Sequence, residues 1–207
     1  PWWENETEWH LQWKSLFPEA FREIVDFDNE TGEKHVADIK TERGLVIELQ
    51  HSAMPPEELQ AREQFYKRMI WIVDATGFAG NFEVQKDPLP HPNAEILDDV
   101  VFFPNLASAF WRKSEQMEGS RMVEMHPSEL IGDQIRDSYR GHHFFKRKKP
   151  RSVWFSSTVP VFLDFGDQCL YGLEKYGNSG QWCVQRISKK ALVIKNGGTY
   201  QDQAKGG

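Results

Sequence analysis

Cysteine is scarce in this chain, which has only Cys169 and Cys183 among 207 residues. Two cysteines cannot complete a four-ligand zinc site without histidines, and one pair in a chain of this length does not indicate a disulfide framework. We therefore expect both thiols to be free and reduced. Length and composition are typical of an intracellular protein, and we expect a cytoplasmic one.

Long hydrophobic runs are also absent, because no segment approaches the roughly 18–20 apolar residues that a membrane-spanning helix requires. No signal-peptide pattern is present. The chain has no excess of basic residues either: 25 Lys and Arg residues stand against 31 Asp and Glu residues, a formal net charge of −6. We therefore expect no membrane partner, and any surface that binds nucleic acid must be local.

Two strand-like segments flank a glycine-containing turn within residues 34–52. In residues 45–50 the apolar side chains alternate with the others, which places Glu48 and Gln50 on one face of a strand. The same two-residue period predicts a strand in the preceding segment, and Asp38 lies on one of its two faces. Acidic residues are unusual in half-buried strands, so this pattern indicates a site. The alternative is that both acids are ordinary solvated residues on the outer face of a hairpin.

The turn between the two segments predicts their register. Residues 42–44 are typical of a three-residue hairpin loop with glycine in the left-handed conformation. If the loop centres on Arg43, the numbers of facing residues sum to 86, and Asp38 faces Glu48. Facing side chains have Cβ atoms about 4.5–5.5 Å apart, so two carboxylates repel each other unless a proton or a cation lies between them. A hard divalent cation suits such a pair.

These segments resemble the PD-(D/E)XK nuclease superfamily and, within it, the competence protein CoiA-like group. The resemblance covers roughly the first 75 residues and is carried by Ala37-Asp38, Glu48-Leu49-Gln50-His51-Ser52, Arg62, Tyr66, Ile70-Trp71-Ile72, and the stretch from Glu6 to Lys14. It implies a restriction-endonuclease-like core, ordered as a helix, three strands, a helix and a strand. It also implies metal-dependent hydrolysis of phosphodiester bonds in DNA.

The resemblance implies that Asp38, Glu48 and the backbone carbonyl of Leu49 bind Mg²⁺ or Mn²⁺. Two residues depart from the superfamily pattern: Gln50 stands where lysine is usual, and Ala37 stands where proline is usual. A neutral amide orients water or a phosphate oxygen but cannot stabilise developing negative charge as an ammonium does. We therefore expect a cation from elsewhere in the chain to compensate.

The candidates for that cation lie on the two predicted helices of the core. Arg62 belongs to the second helix, and Lys14 and His10 belong to the first. Glu6, His10 and Lys14 follow one another at four-residue steps, so one face of the first helix can present all three together. The alternative for this series is a solvent-facing ladder of charges. Two further residues are expected to contact the substrate, Ser52 and Tyr66.

One basic run stands out in the second half of the chain, after the aromatic pair Phe144 and Phe145. We interpret it as a loop that contacts DNA phosphates, which positions a duplex without reading its sequence. An ordinary solvated loop is the alternative. The residues of the run are Lys146, Arg147, Lys148, Lys149 and Arg151.

The whole pattern predicts an α/β (α+β) fold with a nuclease core and a β-rich C-terminal region. We divide the chain into a core (1–76), a connecting and helical region (77–140), a β-rich accessory region (141–198) and a polar tail (199–207). Asn5 is expected to cap the first helix, with Glu8 as its reciprocal partner. The remaining elements are predicted as helices over 5–17, 55–69 and 128–139 and strands over 21–28, 70–73, 153–155, 159–165, 169–173 and 182–187.

Three functions remain open at this point. The favoured one is a DNA endonuclease or exonuclease that acts on single- or double-stranded DNA, with a protein partner as one way of delivering its target. The second is a catalytically weak or inactive nuclease-fold domain that binds nucleic acid or a partner protein; Gln50 and the acidic net charge favour it. The third is an unrelated α+β domain in which Asp38 and Glu48 are incidental.

Overall fold

The computed structural model describes residues 6–28, 32–148, 153–177 and 179–201. Within them it has a mixed α/β fold, which confirms the predicted class. The α-helices are α1 (Glu8–Ser15), α2 (Pro56–Tyr66), α3 (Gly132–Ser138) and α4 (Lys189–Lys195). The strands are β1 (Arg22–Phe27), β2 (Lys34–Lys40), β3 (Val46–Gln50), β4 (Met69–Asp74), β5 (Phe82–Val84), β6 (Val100–Phe103), β7 (Leu106–Arg112), β8 (His126–Pro127), β9 (His142–Arg147), β10 (Val161–Asp164), β11 (Cys169–Tyr176) and β12 (Gln181–Ser188).

The chain divides into two compact units. Unit 1 consists of Pro1–Gly77, Arg151–Leu170 and Ile187–Gly207, and unit 2 consists of Phe78–Pro150 and Tyr171–Arg186. The first segment of unit 1 ends one residue beyond the predicted core, at Gly77. We predicted consecutive regions along the sequence. In the structure, the chain instead returns to unit 1 at 151–170 and again at 187–207.

The strands of unit 1 lie in the order β1-β2-β3-β4-β10. Strand β2 is antiparallel to its neighbours β1 and β3, whereas β4 is parallel to β3 and to β10. Every residue of β3 and β4 is buried, as expected for parallel strands covered on both faces. The element order α1, β1 to β3, α2, β4 agrees with the predicted order, although order alone does not identify a function.

The hairpin between β2 and β3 has the predicted register. Ile39 faces Ile47 and Lys40 faces Val46, so the facing residue numbers sum to 86. Gly44 has a φ of 73°, the left-handed conformation that the three-residue loop requires. Asp38 and Glu48 are therefore the next residues along the two strands, beyond the last backbone pair.

Helix α1 begins later than predicted, because Thr7 caps it. The hydroxyl of Thr7 accepts a hydrogen bond from the backbone N–H of His10, and His10 Nδ1 accepts one from the N–H of Thr7. These two bonds form a capping box in which His10 replaces the usual Glu or Gln. Asn5, the predicted cap, lies outside the described residues. The helix ends at Ser15, two residues before the predicted Phe17.

Asp164 in β10 fixes the position of α1. Its carboxylate accepts hydrogen bonds from Trp13 Nε1 at 2.7 Å, Trp9 Nε1 at 3.1 Å and Lys189 Nζ at 2.8 Å, and from the backbone N–H of Gly166 at 3.0 Å. The bond from Gly166 is the usual one for an aspartate that precedes a turn. The two indole bonds show that Asp164 also holds the helix to the sheet.

Helix α2 and strand β4 show how one residue sets an element boundary. Pro55 and Pro56 begin the helix as predicted. Lys67 has a φ of 53°, and its N–H donates to the carbonyl of Glu63 at 3.1 Å. This left-handed C-cap ends the helix before Met69, which is the first residue of β4 rather than the last of the helix.

Unit 2 contains one group of strands in the order β11-β12-β9-β5 and a separate three-stranded sheet in the order β6-β7-β8. Its core packs Phe102, Phe110, Phe144 and Tyr176 together with smaller apolar residues. The five strands from β5 to β9 and helix α4 are absent from the sequence prediction. The predicted strand at 153–155 is a 3₁₀ helix, Val153–Ser156, and the predicted helix at 128–139 begins with a 3₁₀ turn before α3.

Cys169 and Cys183 are both free thiols, as predicted. Within the described part of the chain, no helix is long and apolar enough to cross a membrane.

Candidate acidic site

The acidic pair lies where the pairing of β2 with β3 stops. Asp38 is partly buried, and its Oδ2 accepts a hydrogen bond from the backbone N–H of Leu49 at 2.9 Å. The Asp38 side chain thus accepts a hydrogen bond from β3 at a point where a backbone carbonyl of β2 would otherwise accept one. The bond holds the Asp38 carboxylate beside the backbone that carries Glu48.

Glu48 is buried, with 2% of its surface exposed. Arg62 Nη1 donates to its Oε2 at 2.9 Å, whereas Oε1 is buried without a hydrogen-bond partner. Burial, reinforced by the charge of Asp38, raises the pKa of Glu48 to about 8, and the Arg62 guanidinium and the backbone N–H of Asp38 oppose this rise. An orphaned buried carboxylate oxygen is costly, and a proton or a cation at Oε1 would relieve that cost.

Lys14 of α1 is the cation nearest to Asp38 among the ion pairs of unit 1. Its Nζ lies 3.3 Å from Asp38 Oδ1, and it donates to Glu6 Oε1 at 2.7 Å and to Glu23 Oε1 at 3.2 Å. Burial alone would lower the pKa of Lys14, but the hydrogen bond to Glu6 and the interactions with Asp38 and Glu23 outweigh it and raise the pKa. Lys14 is therefore a firmly protonated ammonium.

Glu23 was not among the predicted site residues. It lies in β1 with a φ of 52°, a conformation that non-glycine residues seldom adopt and that is often found at functional sites. Nothing in the local sequence marks Glu23 as a site residue, because its contact with Lys14 depends on the pairing of β1 with β2.

Arg62 of α2 is held by two carboxylates. Besides the bond to Glu48, its Nη2 donates to Glu58 Oε1 at 2.6 Å, and the guanidinium lies 5.8 Å from the centre of the Trp71 ring. Glu58 was also missed, although its spacing of four residues from Arg62 in a helix is a recognisable signal.

His10 contacts the backbone of the same strand. Because Nδ1 accepts from the N–H of Thr7, the proton of the neutral ring is on Nε2, which donates to the carbonyl oxygen of Leu49 at 3.2 Å. This bond occupies one acceptor position of the carbonyl that the resemblance assigns to the metal.

Gln50, Ser52 and Tyr66 also lie in unit 1. Gln50 is buried, and its Nε2 donates to Ser52 Oγ at 3.2 Å. Burial raises the pKa of Tyr66, and the charge of Glu48 raises it further, so the phenol keeps its proton. The ion pairs connect five of the predicted site residues in two groups around Asp38 and Glu48: Glu6, Lys14, Asp38, Glu48 and Arg62. Tyr66 interacts electrostatically with Glu48, whereas Gln50 and Ser52 bond to each other. The chemical roles of all these residues stay predictions.

Carboxylates outnumber cations in this cluster, which we call the acidic site. Its ion pairs join five carboxylates to two cations, so an excess of negative charge remains if all groups are ionised. This excess and the orphaned Oε1 of Glu48 fit a divalent cation bound through oxygen ligands. The residues of the acidic site are Glu6, Lys14, Glu23, Asp38, Glu48, Glu58 and Arg62.

Residues 146–149 of the predicted phosphate-binding run belong to unit 2 and Arg151 belongs to unit 1, and the run is only partly a loop. Lys146 and Arg147 belong to β9, where Lys146 faces Glu83 of β5, and Lys148 follows the strand. All three side chains are exposed. Lys149 and Arg151 lie outside the described residues. The prediction of a loop is thus wrong for Lys146 and Arg147, because pairing with β5 extends the strand through them.

A second group of metal-binding side chains in unit 2 was not predicted. One ligand atom from each of Glu115, Glu124 and His126 lies within 4.8 Å of the others. His126 Nε2 and Glu115 Oε2 are hydrogen-bonded, and Arg112 Nε lies 3.7 Å from Glu115. Both glutamates are exposed, and exposed acidic groups are common without a bound ion, so the proximity of these ligand atoms does not by itself establish a cation site.

Comparison of the sequence with protein-family models found no matching family, and no curated protein or solved structure matched the chain. The function has to be argued from the geometry and charge of the residues described above.

Proposed function

We propose that unit 1 is a metal-dependent nuclease that hydrolyses phosphodiester bonds of DNA. The observation that carries this proposal is the buried Glu48 with an orphaned Oε1, next to Asp38 on the adjacent strand. Burying a carboxylate oxygen without a hydrogen-bond partner costs free energy, and a cation bound between Oε1 and the neighbouring carboxylate would offset that cost. The order of helices and strands around the pair supports the proposal because it agrees with the superfamily core.

Asp38 and Glu48, with the carbonyl of Leu49, would hold Mg²⁺ or Mn²⁺, which when bound polarises a phosphate and lowers the pKa of a water molecule. Glu48 must lose its proton to act in this way, and its raised pKa therefore couples cation binding to pH. The N–H of Leu49 keeps Asp38 oriented, and His10 keeps the Leu49 carbonyl in place.

Lys14 supplies the positive charge that Gln50 cannot. Its ammonium contacts Asp38 from helix α1 rather than from β3, and the surrounding carboxylates keep it protonated. We propose that it stabilises the negative charge that develops on the phosphate in the transition state. Arg62 instead donates to Glu48 and Glu58, so we assign it the role of a positioning residue for Glu48.

Cleavage assays test this proposal directly. Plasmid and linear single-stranded DNA are incubated with Mg²⁺, Mn²⁺ or EDTA and with the wild type, Asp38→Asn or Glu48→Gln. We expect metal-dependent cutting that falls by at least about 10²-fold in either variant. Asp26→Asn is the matched control, because Asp26 is a strand aspartate paired with Lys40 rather than with the acidic site. Equal activity in Glu48→Gln and the wild type would refute the assignment.

The second candidate function is a nuclease-fold domain that binds DNA without cutting it. The observation that favours it is the occupation of both acids by cations, Lys14 at Asp38 and Arg62 at Glu48, in a chain that lacks the usual lysine. DNA that is bound but left intact under every metal condition would establish this function instead.

A further inference from the structure

A cavity of about 420 Å³ lies within unit 2. Its volume falls within the range of about 300–1,000 Å³ typical of small-molecule sites. Its walls come from β6, the end of β7 and the turn that follows β11. None of the residues of the acidic site contributes to it, so its role is independent of the proposed nuclease.

The walls of the cavity are mainly apolar, and three of the lining side chains are aromatic. Phe102 and Tyr176 are buried, with ring centres 6.1 Å apart, and Trp111 is partly exposed. The hydroxyl of Tyr176 donates to the carbonyl of Pro90 at 3.3 Å, and Phe102 packs on Phe110 with ring centres 6.3 Å apart. These contacts fix the rings in advance, which lowers the entropy cost of binding a flat ligand.

The polar groups of the cavity restrict the charge of the ligand. Among the described lining residues, Lys113 is the single charged side chain and no carboxylate is present. Lys113 Nζ donates to the carbonyls of Asp98 at 2.8 Å and Leu97 at 3.2 Å, which leaves one of its three N–H groups for a ligand. Gln181 is fixed by bonds to Phe102 and Asn105 and so contributes a rigid amide.

We propose that this cavity binds a planar aromatic molecule that carries an anionic group. The ring lies against Phe102, Trp111 and Tyr176, and the anion contacts the ammonium of Lys113. Both a nucleotide and an aromatic carboxylate have this chemistry, so the test includes one of each.

Calorimetric titration of the full chain tests the proposal with three probes: deoxyadenosine 5′-monophosphate, indole-3-carboxylate and the cation tryptamine. We expect at least one of the two anions to bind and tryptamine not to bind. Trp111→Ala and Lys113→Gln should each weaken binding of the anion by about tenfold or more, because each removes one recognition element. Lys86→Gln is the matched control, since Lys86 is an exposed lysine of unit 2 outside the cavity.

Val101→Trp is a second variant that tests the cavity even if Trp111→Ala does not fold. Val101 is a partly exposed residue of the cavity wall, so a larger side chain fills the space while the melting temperature reports an intact fold. Loss of binding in Val101→Trp and Lys113→Gln supports the proposal. Preference for the nucleotide or for the carboxylate identifies the source of the ligand. Binding of tryptamine, binding unchanged in both variants, or no binding of either anion overturns it.

Discussion

Glu48 combines burial, a neighbouring acid and an orphaned oxygen atom in one side chain. Because the fold raises its pKa, the native state binds a proton at Glu48 more tightly than the unfolded chain does. The associated stability is fully present below the ordinary pKa near 4.5 and is lost as the pH rises through about 8. Without a cation, the contribution of Glu48 to stability therefore falls as the solution becomes neutral and then alkaline.

Glu48→Gln should remove this loss. We expect the free energy of unfolding of the wild type in EDTA to fall between about pH 5 and about pH 8.5, and that of Glu48→Gln to fall much less, because the amide does not titrate. Urea unfolding curves at the two pH values measure the difference. Glu42→Gln, an exposed turn residue, is the control. Parallel pH profiles for the wild type and Glu48→Gln would show that Glu48 is not the group responsible.

Lys14 is expected to carry the charge that Gln50 lacks. Lys14→Gln should reduce DNA cleavage by about 10²-fold while binding changes less, because the missing interaction acts on the transition state. Adding Gln50→Lys to Lys14→Gln should restore part of the rate by moving the ammonium to β3. Single-turnover rates at saturating Mg²⁺ measure both effects. A normal rate for Lys14→Gln would assign the residue to fold stability alone.

The residues of the acidic site could be predicted from the sequence to differing degrees. Asp38 and Glu48 followed from a period of two and a glycine turn, which together define the register. Glu23 and the contact of Lys14 with Asp38 depend on how β1 and α1 pack against β2, and no local pattern contains that information. Glu58 could have been predicted from its spacing to Arg62.

Helix α1 is the element that brings Lys14 and His10 to the sheet, and Asp164 is its main attachment. The Asp164 carboxylate is fully buried and is paired with Lys189, whose ammonium lies 4.4 Å from the centre of the Trp13 ring. Removal of one partner from a buried ion pair is strongly destabilising, because it leaves the other charge without compensation.

Asp164→Asn should therefore destabilise the protein by about 3 kcal/mol or more. It should also lower cleavage, because a displaced α1 moves Lys14 away from Asp38. Urea denaturation measures the first effect. Asp167→Asn is the control, since Asp167 is an exposed turn acid that accepts from the N–H of Cys169. Equal stability of Asp164→Asn and the wild type would mean that packing of the tryptophans alone holds the helix.

Sequence patterns predicted the elements of unit 1 better than those of unit 2. Prolines begin α2, and alternation marks β2 and β3, so local signals were sufficient there. Strands β6 and β7 were missed although they form a hairpin around Pro104 and Asn105, where Asn105 has a φ of 55°. Proline followed by an asparagine in the left-handed conformation is typical of a type II turn, and this turn signal could have been used.

The whole molecule carries a net charge of −6, so DNA binding needs a local basic surface. Lys146, Arg147 and Lys148 are exposed in unit 2 and supply one. Replacing all three with glutamine should weaken DNA binding and make the slope of log affinity against log salt shallower by about 0.9 for each phosphate that the variant no longer neutralises. Fluorescence anisotropy at several salt concentrations measures the slope.

The matched control replaces three exposed lysines elsewhere, Lys34, Lys86 and Lys195. It removes the same charge and should leave the slope close to that of the wild type. If both triple variants reduce the slope equally, the effect is one of net charge and the basic run has no specific role.

The most direct test of the nuclease proposal is calorimetric titration of the protein with Mn²⁺ near pH 8. We predict one binding event that is abolished in Asp38→Asn and in Glu48→Gln and retained in Asp26→Asn and in Glu115→Gln, the latter because its residue belongs to the separate cluster in unit 2. Wild-type affinity in Glu48→Gln, or loss of binding only in Glu115→Gln, would contradict the proposal that the acidic site holds the metal.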